Sequence, residues 1–350
     1  MNVRSAPRIL SVATAFPPHS VDIAATTEGM RRLFPQEDPA FIAQLVERSG
    51  VRRRHLTCDV EGTLARRSFD EKNRQYQEHA QALALEAARR ALDRAGVAPE
   101  RIDVVIDTSC TGIAIPALDT ALAPALGLRA DVRRLPITES GCAAGALALG
   151  LAGELGQLGK TTLVVAVELC SITLRDDDAS RTNVVSCALF GDGAGAAVVG
   201  AGERGPVFQW NASHLFPRSR HLMGFDVGAR GLGIVLDREL PVFLLRALKP
   251  ALDGLLAPRG REFRAFEHLW IHPGGRRILE AITELYDLDE DALWASREAL
   301  AVHGNLSSAT VFGVLEQDLA RRAPRAGEHG LLVGIGPGLS LEASAWRYED

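Results

Sequence analysis

The feature that most constrains this 350-residue chain is an alternation of strand-like and helix-like segments. Short apolar or β-branched runs at 8–13, 102–108, 161–168 and 188–199 are separated by helical patterns at 78–95 and 142–156. Such a rhythm builds a layered α/β protein, because strands covered on both faces read as continuous apolar runs. After the glycine-bearing stretch 200–205 the pattern restarts, with helices expected at 242–256, 273–286 and 309–320 and strands at 268–272, 330–335 and 339–346. Single cores stop growing near this chain length, so two halves are expected, 1–205 and 206–350.

Composition removes several classes of function. With 47% hydrophobic and 24% charged residues the chain is ordinary globular material, and its net charge of -5 gives no general electrostatic case for nucleic acid. The five cysteines, at 58, 110, 142, 170 and 187, are odd in number and contain no C-x-x-C pair, which argues against a disulfide framework and against a metal site. Together with a start that lacks a signal-peptide pattern, this fits a reducing, cytoplasmic setting. The most apolar stretch, 142–153, is interrupted by Glu154 and falls short of the roughly 20 residues of a membrane span. The acidic run at 176–178 reads as a solvated loop. Arg48 and Arg52, Arg53 and Arg54 follow an expected helix at 39–47; they form either a solvated basic face or a phosphate site suited to guanidinium forks.

Three polar residues stand where chemistry collects. Cys142, in Glu-Ser-Gly-Cys-Ala-Ala-Gly (139–145), lies where a turn becomes a long Ala/Gly/Leu helix. A helix N-terminus favours a thiolate, so the thiol pKa is expected to fall, although a free cysteine is also commonly a small buried apolar residue. His272 ends an apolar strand before a Pro-Gly-Gly turn, and Asn305, in His-Gly-Asn-Leu-Ser-Ser-Ala (303–309), precedes a helix and suits an N-cap. Together they supply a soft nucleophile and two neutral donors for a developing oxyanion, which serves condensation on thioesters. A Cys-His-Asn hydrolase uses the same residue types, so the trio by itself leaves two classes open.

The surrounding motifs resemble those of type III polyketide synthases, the chalcone synthase-like branch of the thiolase-fold condensing enzymes. Ser-Gly-Cys-Ala-Ala-Gly (140–145) resembles the nucleophile motif, Leu-Phe-Gly-Asp-Gly-Ala (189–194) the gatekeeper segment and Trp-Ile-His-Pro-Gly-Gly (270–275) the histidine motif. Gly-Asn-Leu-Ser-Ser-Ala (304–309) resembles the asparagine motif and Gly-Ile-Gly-Pro-Gly-Leu (334–339) the C-terminal glycine loop. Ketoacyl synthase III shares the trio and would stop after one condensation. It usually reads His-Gln-Ala-Asn where this chain has His272-Pro273-Gly274-Gly275.

The resemblance implies a thiolase-like fold of two related α/β halves forming a layered αβαβα core. It also implies iterative, decarboxylative condensation of malonyl-CoA onto an acyl-CoA starter, without metal or redox cofactor, because coenzyme A is the carrier. Cys142 would hold the acyl chain, and His272 and Asn305 would stabilise the enolate. Phe190 matches a gatekeeper, and Ile234 falls where a second, aromatic gatekeeper is usual, implying a wider passage. Cys110, Thr111, Cys170 and Thr173 match cavity-lining positions, and Gly336, Pro337 and Gly338 form the glycine loop. Ile115 matches a residue reaching into the partner's cavity, implying a homodimer, and Arg48 matches a coenzyme A phosphate contact. Other basic positions of that site fall on Phe41 and Gln44. The segments 223–227 and 231–236 are most similar to bacterial synthases making alkylpyrones or alkylresorcinols from long acyl starters. The alternative product is tetrahydroxynaphthalene, formed from malonyl units alone, whose synthases also carry a cysteine at the position of Cys110.

Overall fold

The computed structural model describes residues 6–321 and 323–349. Its main sheet has nine strands in the order His268–Ile271, His329–Gly336, Ser340–Arg347, Val207–Leu215, Pro7–Ala15, Asp192–Ala201, Thr162–Leu169, Val104–Thr108 and Arg133–Ile137. The two halves meet at the pair Arg8 and Val207. In the first half Val104–Thr108 runs parallel to Thr162–Leu169, and two antiparallel steps lead to Pro7–Ala15. In the second half His268–Ile271 runs parallel to His329–Gly336, and two antiparallel steps lead to Val207–Leu215. The halves therefore repeat one topology, as expected, with Arg133–Ile137 an extra parallel strand at the edge of the first.

The three largest apolar cores among the described residues separate the layers. The central one is built on the helices Ala144–Gln157 and Thr310–Arg321, which pack between strands of the two halves. Phe69–Ala95 covers the outer face of the first half, and Leu240–Leu256 with Arg276–Tyr286 covers that of the second. The Gly/Ala composition of the central helix is a packing requirement. A Cβ on Gly145 would stand 2.1 Å from the Ser308 carbonyl oxygen, and one on Gly195, in the facing strand, 2.4 Å from Phe312 Cβ. Only residues without side chains allow so close an approach.

Several boundaries differ from expectation. Phe69–Ala95 starts nine residues before the expected 78, because its polar first turns carry no apolar stripe; a capping box sets the start instead, with Ser68 and Glu71 exchanging side-chain to backbone hydrogen bonds. The run at 188–199 divides into the end of a helix, Arg181–Leu189, and the strand Asp192–Ala201. The hairpin Met223–Gly228 and Gly231–Leu236, which pairs only with itself, and the helix Trp294–His303 are additional elements. The acidic run is more than a solvated loop, since Asp177 is bound by Arg175 and Arg230 and its carboxyl is held down at about 2, first by the Arg175 hydrogen bonds. Among the described residues no helix is long and apolar enough to cross a membrane.

One polar cluster ties the second half together. His268 is buried, with Nδ1 2.6 Å from Asp318 Oδ2 and Nε2 3.0 Å from Glu328 Oε2, while Trp270 Nε1 donates to the same Asp318 oxygen at 2.8 Å. Burial opposes charging the ring, but the two carboxylates outweigh it and raise its pKa. A raised histidine contributes stability fully below its unfolded value and loses it as pH rises through the folded value. Asp318→Asn leaves a buried imidazole and indole without their carboxylate. The variant is expected to melt at least about 5 °C lower by calorimetry, with a smaller deficit at alkaline than at neutral pH.

Candidate active site

The expected nucleophile sits in a short 3-10 turn, Gly141–Ala143, that runs directly into the central helix. Gly141 has φ of +49°, and a Cβ there would meet the Pro337 ring at 2.6 Å; one on Gly336 would meet the Ser140 carbonyl at 2.5 Å. The C-terminal glycine loop is therefore seated on the cysteine turn. Gly338, next in that loop, lines a wider opening on this side together with Pro337.

Ser307 connects the parts. Its φ of +48° is unusual for a residue with a side chain. From this position its hydroxyl takes a hydrogen bond from Cys142 Sγ at 3.4 Å and lies 3.3 Å from Cys110 Sγ. The backbone N–H of Ser307 donates to Asn305 Oδ1 at 2.8 Å, and the Thr310 hydroxyl donates to the same oxygen at 3.3 Å. That leaves Nδ2 of Asn305 with one long bond, 3.4 Å, to the Gly274 carbonyl in the loop after His272. Asn305 also pairs through its backbone with the segment of Phe190: its N–H donates to Leu189 O at 2.9 Å, and Gly191 N–H donates to Asn305 O at 3.0 Å. The cysteine, histidine, asparagine and gatekeeper segments are thus joined through a few hydrogen bonds, those to the gatekeeper segment between backbone groups.

Electrostatics correct one expectation. Burial pushes the Cys142 thiol up to about 11, against the lowering effect of the Ser307 hydrogen bond, so the helix start does not make it a resting thiolate. Burial likewise lowers His272 to about 4; the residue is 3% exposed, and among the described residues neither ring nitrogen has a hydrogen-bond partner. Both groups are therefore neutral at physiological pH, with an imidazole able to take or give a proton.

Glu168 is the site residue that sequence reasoning missed. Fully buried at the end of its strand, it accepts from the Cys110 N–H at 3.1 Å, the Thr111 hydroxyl at 2.8 Å and the Ser308 hydroxyl at 2.5 Å. Burial raises its pKa against these bonds. A glutamate within a strand-like run of Val and Leu is itself a signal, since buried carboxylates require partners.

A largely apolar cavity opens at Cys142. Seven positions named from the sequence line it with Cys142: Cys110, Thr111, Cys170, Thr173, Phe190, Ile234 and Pro337. Met223, Phe225, Leu236 and Ser307 are lining residues the motifs did not disclose. Phe225 pairs across the hairpin with Ile234, so an aromatic ring returns to this wall from the neighbouring strand. Ile115 lies outside this cavity, 91% exposed, on a loop where Asn73 bonds both the N–H and the carbonyl of Ile113. Arg48 is exposed in the last turn of Pro39–Ser49. Arg52 pairs with Glu298 and Arg54 is buried, so neither presents a free surface cation. Arg181, at the start of Arg181–Leu189 and not considered from the sequence, stacks over Phe41 of Pro39–Ser49 at 3.8 Å and also pairs with Glu37 at 3.6 Å.

With fold and cavity in view, the relatives are decisive. The chain matches the N-terminal domain of chalcone and stilbene synthases over residues 2–203 and their C-terminal domain over 208–347, and it belongs to that family. It is 38% identical to 1,3,6,8-tetrahydroxynaphthalene synthase of Streptomyces peucetius subsp. caesius, over 97% of this chain and 93% of the relative. The crystal structure of 1,3,6,8-tetrahydroxynaphthalene synthase from Streptomyces coelicolor A3(2), a bacterial type III polyketide synthase, superposes with a TM-score of 0.94 at 31% identity, covering 98% and 99% of the two chains. A type III pentaketide synthase from Neurospora crassa gives 0.87 at 26% identity, covering 98% and 100%. The chain is a type III polyketide synthase with the thiolase-like fold, an acyltransferase-type condensing enzyme.

Ser307→Ala removes the hydroxyl that favours the Cys142 thiolate. Alkylation of Cys142 by iodoacetamide, followed by peptide mass, is expected to slow about threefold or more at pH 8 and to shift to higher pH.

Proposed function

We propose that this synthase primes and extends with malonyl-CoA alone and releases a tetrahydroxynaphthalene-type product. The observation that carries this reading is Cys110, which shares the Ser307 hydroxyl with Cys142 in a chain 38% identical to a tetrahydroxynaphthalene synthase. The motif pattern placed an alkyl starter first; the relatives move the malonyl-only alternative ahead of it.

In this mechanism His272, neutral and unpartnered, takes the Cys142 proton as the sulfur attacks the thioester carbonyl of the starter. The carbon–sulfur bond to coenzyme A breaks, the leaving thiolate takes the proton, and the acyl group stays on Cys142. The next malonyl-CoA places its thioester oxygen between the His272 ring N–H and Asn305 Nδ2. Carbon dioxide leaves, the enolate charge rests on that oxygen, and the carbanion attacks the Cys142 thioester and releases the sulfur. Two neutral donors suit this step because they bind the developing charge more strongly than the ground-state carbonyl. Arg48, with Arg181 over Phe41, would receive the coenzyme A phosphates. Ile115 would close the cavity of a second copy in a cytoplasmic homodimer, with the halves of each chain dividing near residue 205.

Purified protein given malonyl-CoA alone is expected to form the aromatic product, identified by mass. Cys142→Ala should abolish it. His272→Ala and Asn305→Ala should lower condensation by about 100-fold or more, and the asparagine variant should still load Cys142. Pyrones or resorcinols bearing a starter's alkyl tail, with no malonyl-only product, would instead establish the alkyl reading, and a single β-ketoacyl product would overturn iteration.

A further inference from the structure

The wall formed by Phe190 and Ile234 has space on both sides. Beyond it lies a further pocket that shares Cys170, Thr173, Phe190 and Ile234 with the cavity of Cys142. That chamber shares Arg54, Leu56, Thr63, Leu174 and Cys187 with an outer pocket beside the helix Ile23–Leu33. Arg54 lines both, and it is poorly satisfied. It is 7% exposed; Nη1 donates to the Phe190 carbonyl at 2.6 Å, and buried Nε has no acceptor among the described residues. A guanidinium carries five N–H donors and, when buried, is ordinarily paired with a carboxylate.

No such partner is in reach among the described residues. Asp192, the carboxylate that acts on Arg54 through space, is held by other donors: Thr57 N–H at 2.8 Å, Thr57 Oγ1 at 3.1 Å, Ser171 N–H at 2.7 Å and Ser171 Oγ at 2.5 Å. The neighbouring thiols of Cys170 and Cys187 are pushed towards the neutral form by burial. By contrast Lys72, beside the side pocket at Thr111, donates to the Leu174 carbonyl and has Asp176 and Asp177 near it.

We propose that the chamber behind Phe190 receives the carboxylate end of an acyl chain held on Cys142, with Arg54 as its counter-ion. The proposal deepens the malonyl-primed reading and rests on it. A chain started from a malonyl unit carries a carboxylate at its far end until that group is lost, whereas an alkyl-started chain presents a methyl group. A planar guanidinium binds a carboxylate through two parallel hydrogen bonds, which neither keto oxygens nor methyl groups reproduce.

The test measures loading of Cys142 by intact-protein mass, which does not depend on extension. Glutaryl-CoA and adipyl-CoA are compared with valeryl-CoA and hexanoyl-CoA, pairs equal in length and differing in the terminal carboxylate. Arg54→Gln is expected to lower the carboxyacyl-to-alkyl loading ratio about tenfold or more. Thr63→Glu, which offers Arg54 an internal carboxylate and leaves its tie to Phe190 in place, is expected to lower the ratio in the same direction. An unchanged ratio in a folded Arg54→Gln variant or in Thr63→Glu overturns the proposal. So does wild-type protein that loads the alkyl starters and refuses the carboxylated ones. Arg54-dependent preference for the carboxylated starters in a protein that forms no product from malonyl-CoA alone would uphold the site and defeat the malonyl-primed reading instead.

Discussion

The geometry of this site depends on one buried carboxylate. Glu168 lies at the end of a central strand of the first half and binds Cys110, Thr111 and Ser308, the last belonging to the second half. A carboxylate without partners at that depth would cost several kcal/mol, so the loops must present their donors to it if the chain is to fold. Once Ser308 is fixed, Ser307 has little freedom, and its hydroxyl meets Cys142 and Cys110. The cavity wall and the asparagine loop are thus set by the same group.

The central layer sets the second constraint. Gly145 lies against the Ser308 carbonyl and Gly195 against Phe312, so the helix that starts after the cysteine and the helix that follows the asparagine can approach across the two halves. Packing and site are coupled here: a methyl group on Gly145 would push back the segment that also holds Ser307.

The sequence disclosed what local chemistry encodes. The apolar runs marked the central strands, and the Cys142, His272 and Asn305 motifs marked loops that the fold brings together through Ser307 and Gly274. Most cavity residues carried over from family motifs were found on the wall. What stayed hidden depends on distant partners. The first turns of Phe69–Ala95 are polar and are set by a cap. Glu168 shows in sequence only as a charge within an apolar strand and Arg54 only as one of a basic cluster; their burial and partners exist only after strands far apart in the chain assemble. The thiol pKa was misjudged for the same reason: the helix start is a local feature, while the burial that outweighs it comes from the tertiary structure.

The hairpin Met223–Gly228 and Gly231–Leu236 supplies Met223, Phe225, Ile234 and Leu236 to the cavity, yet its strands form a ladder of their own, tied to the rest at its ends, where the Met223 carbonyl accepts from Gly338 N–H at 3.4 Å and the Leu236 carbonyl from the Thr182 hydroxyl at 3.1 Å. Side chains can change on this flap without altering any register of the nine-stranded sheet. The reacting groups stand on the scaffold, and a large part of the mould that shapes the growing chain hangs from a separate ladder. Such an arrangement lets one condensation machine be refitted for different products at little cost to its stability.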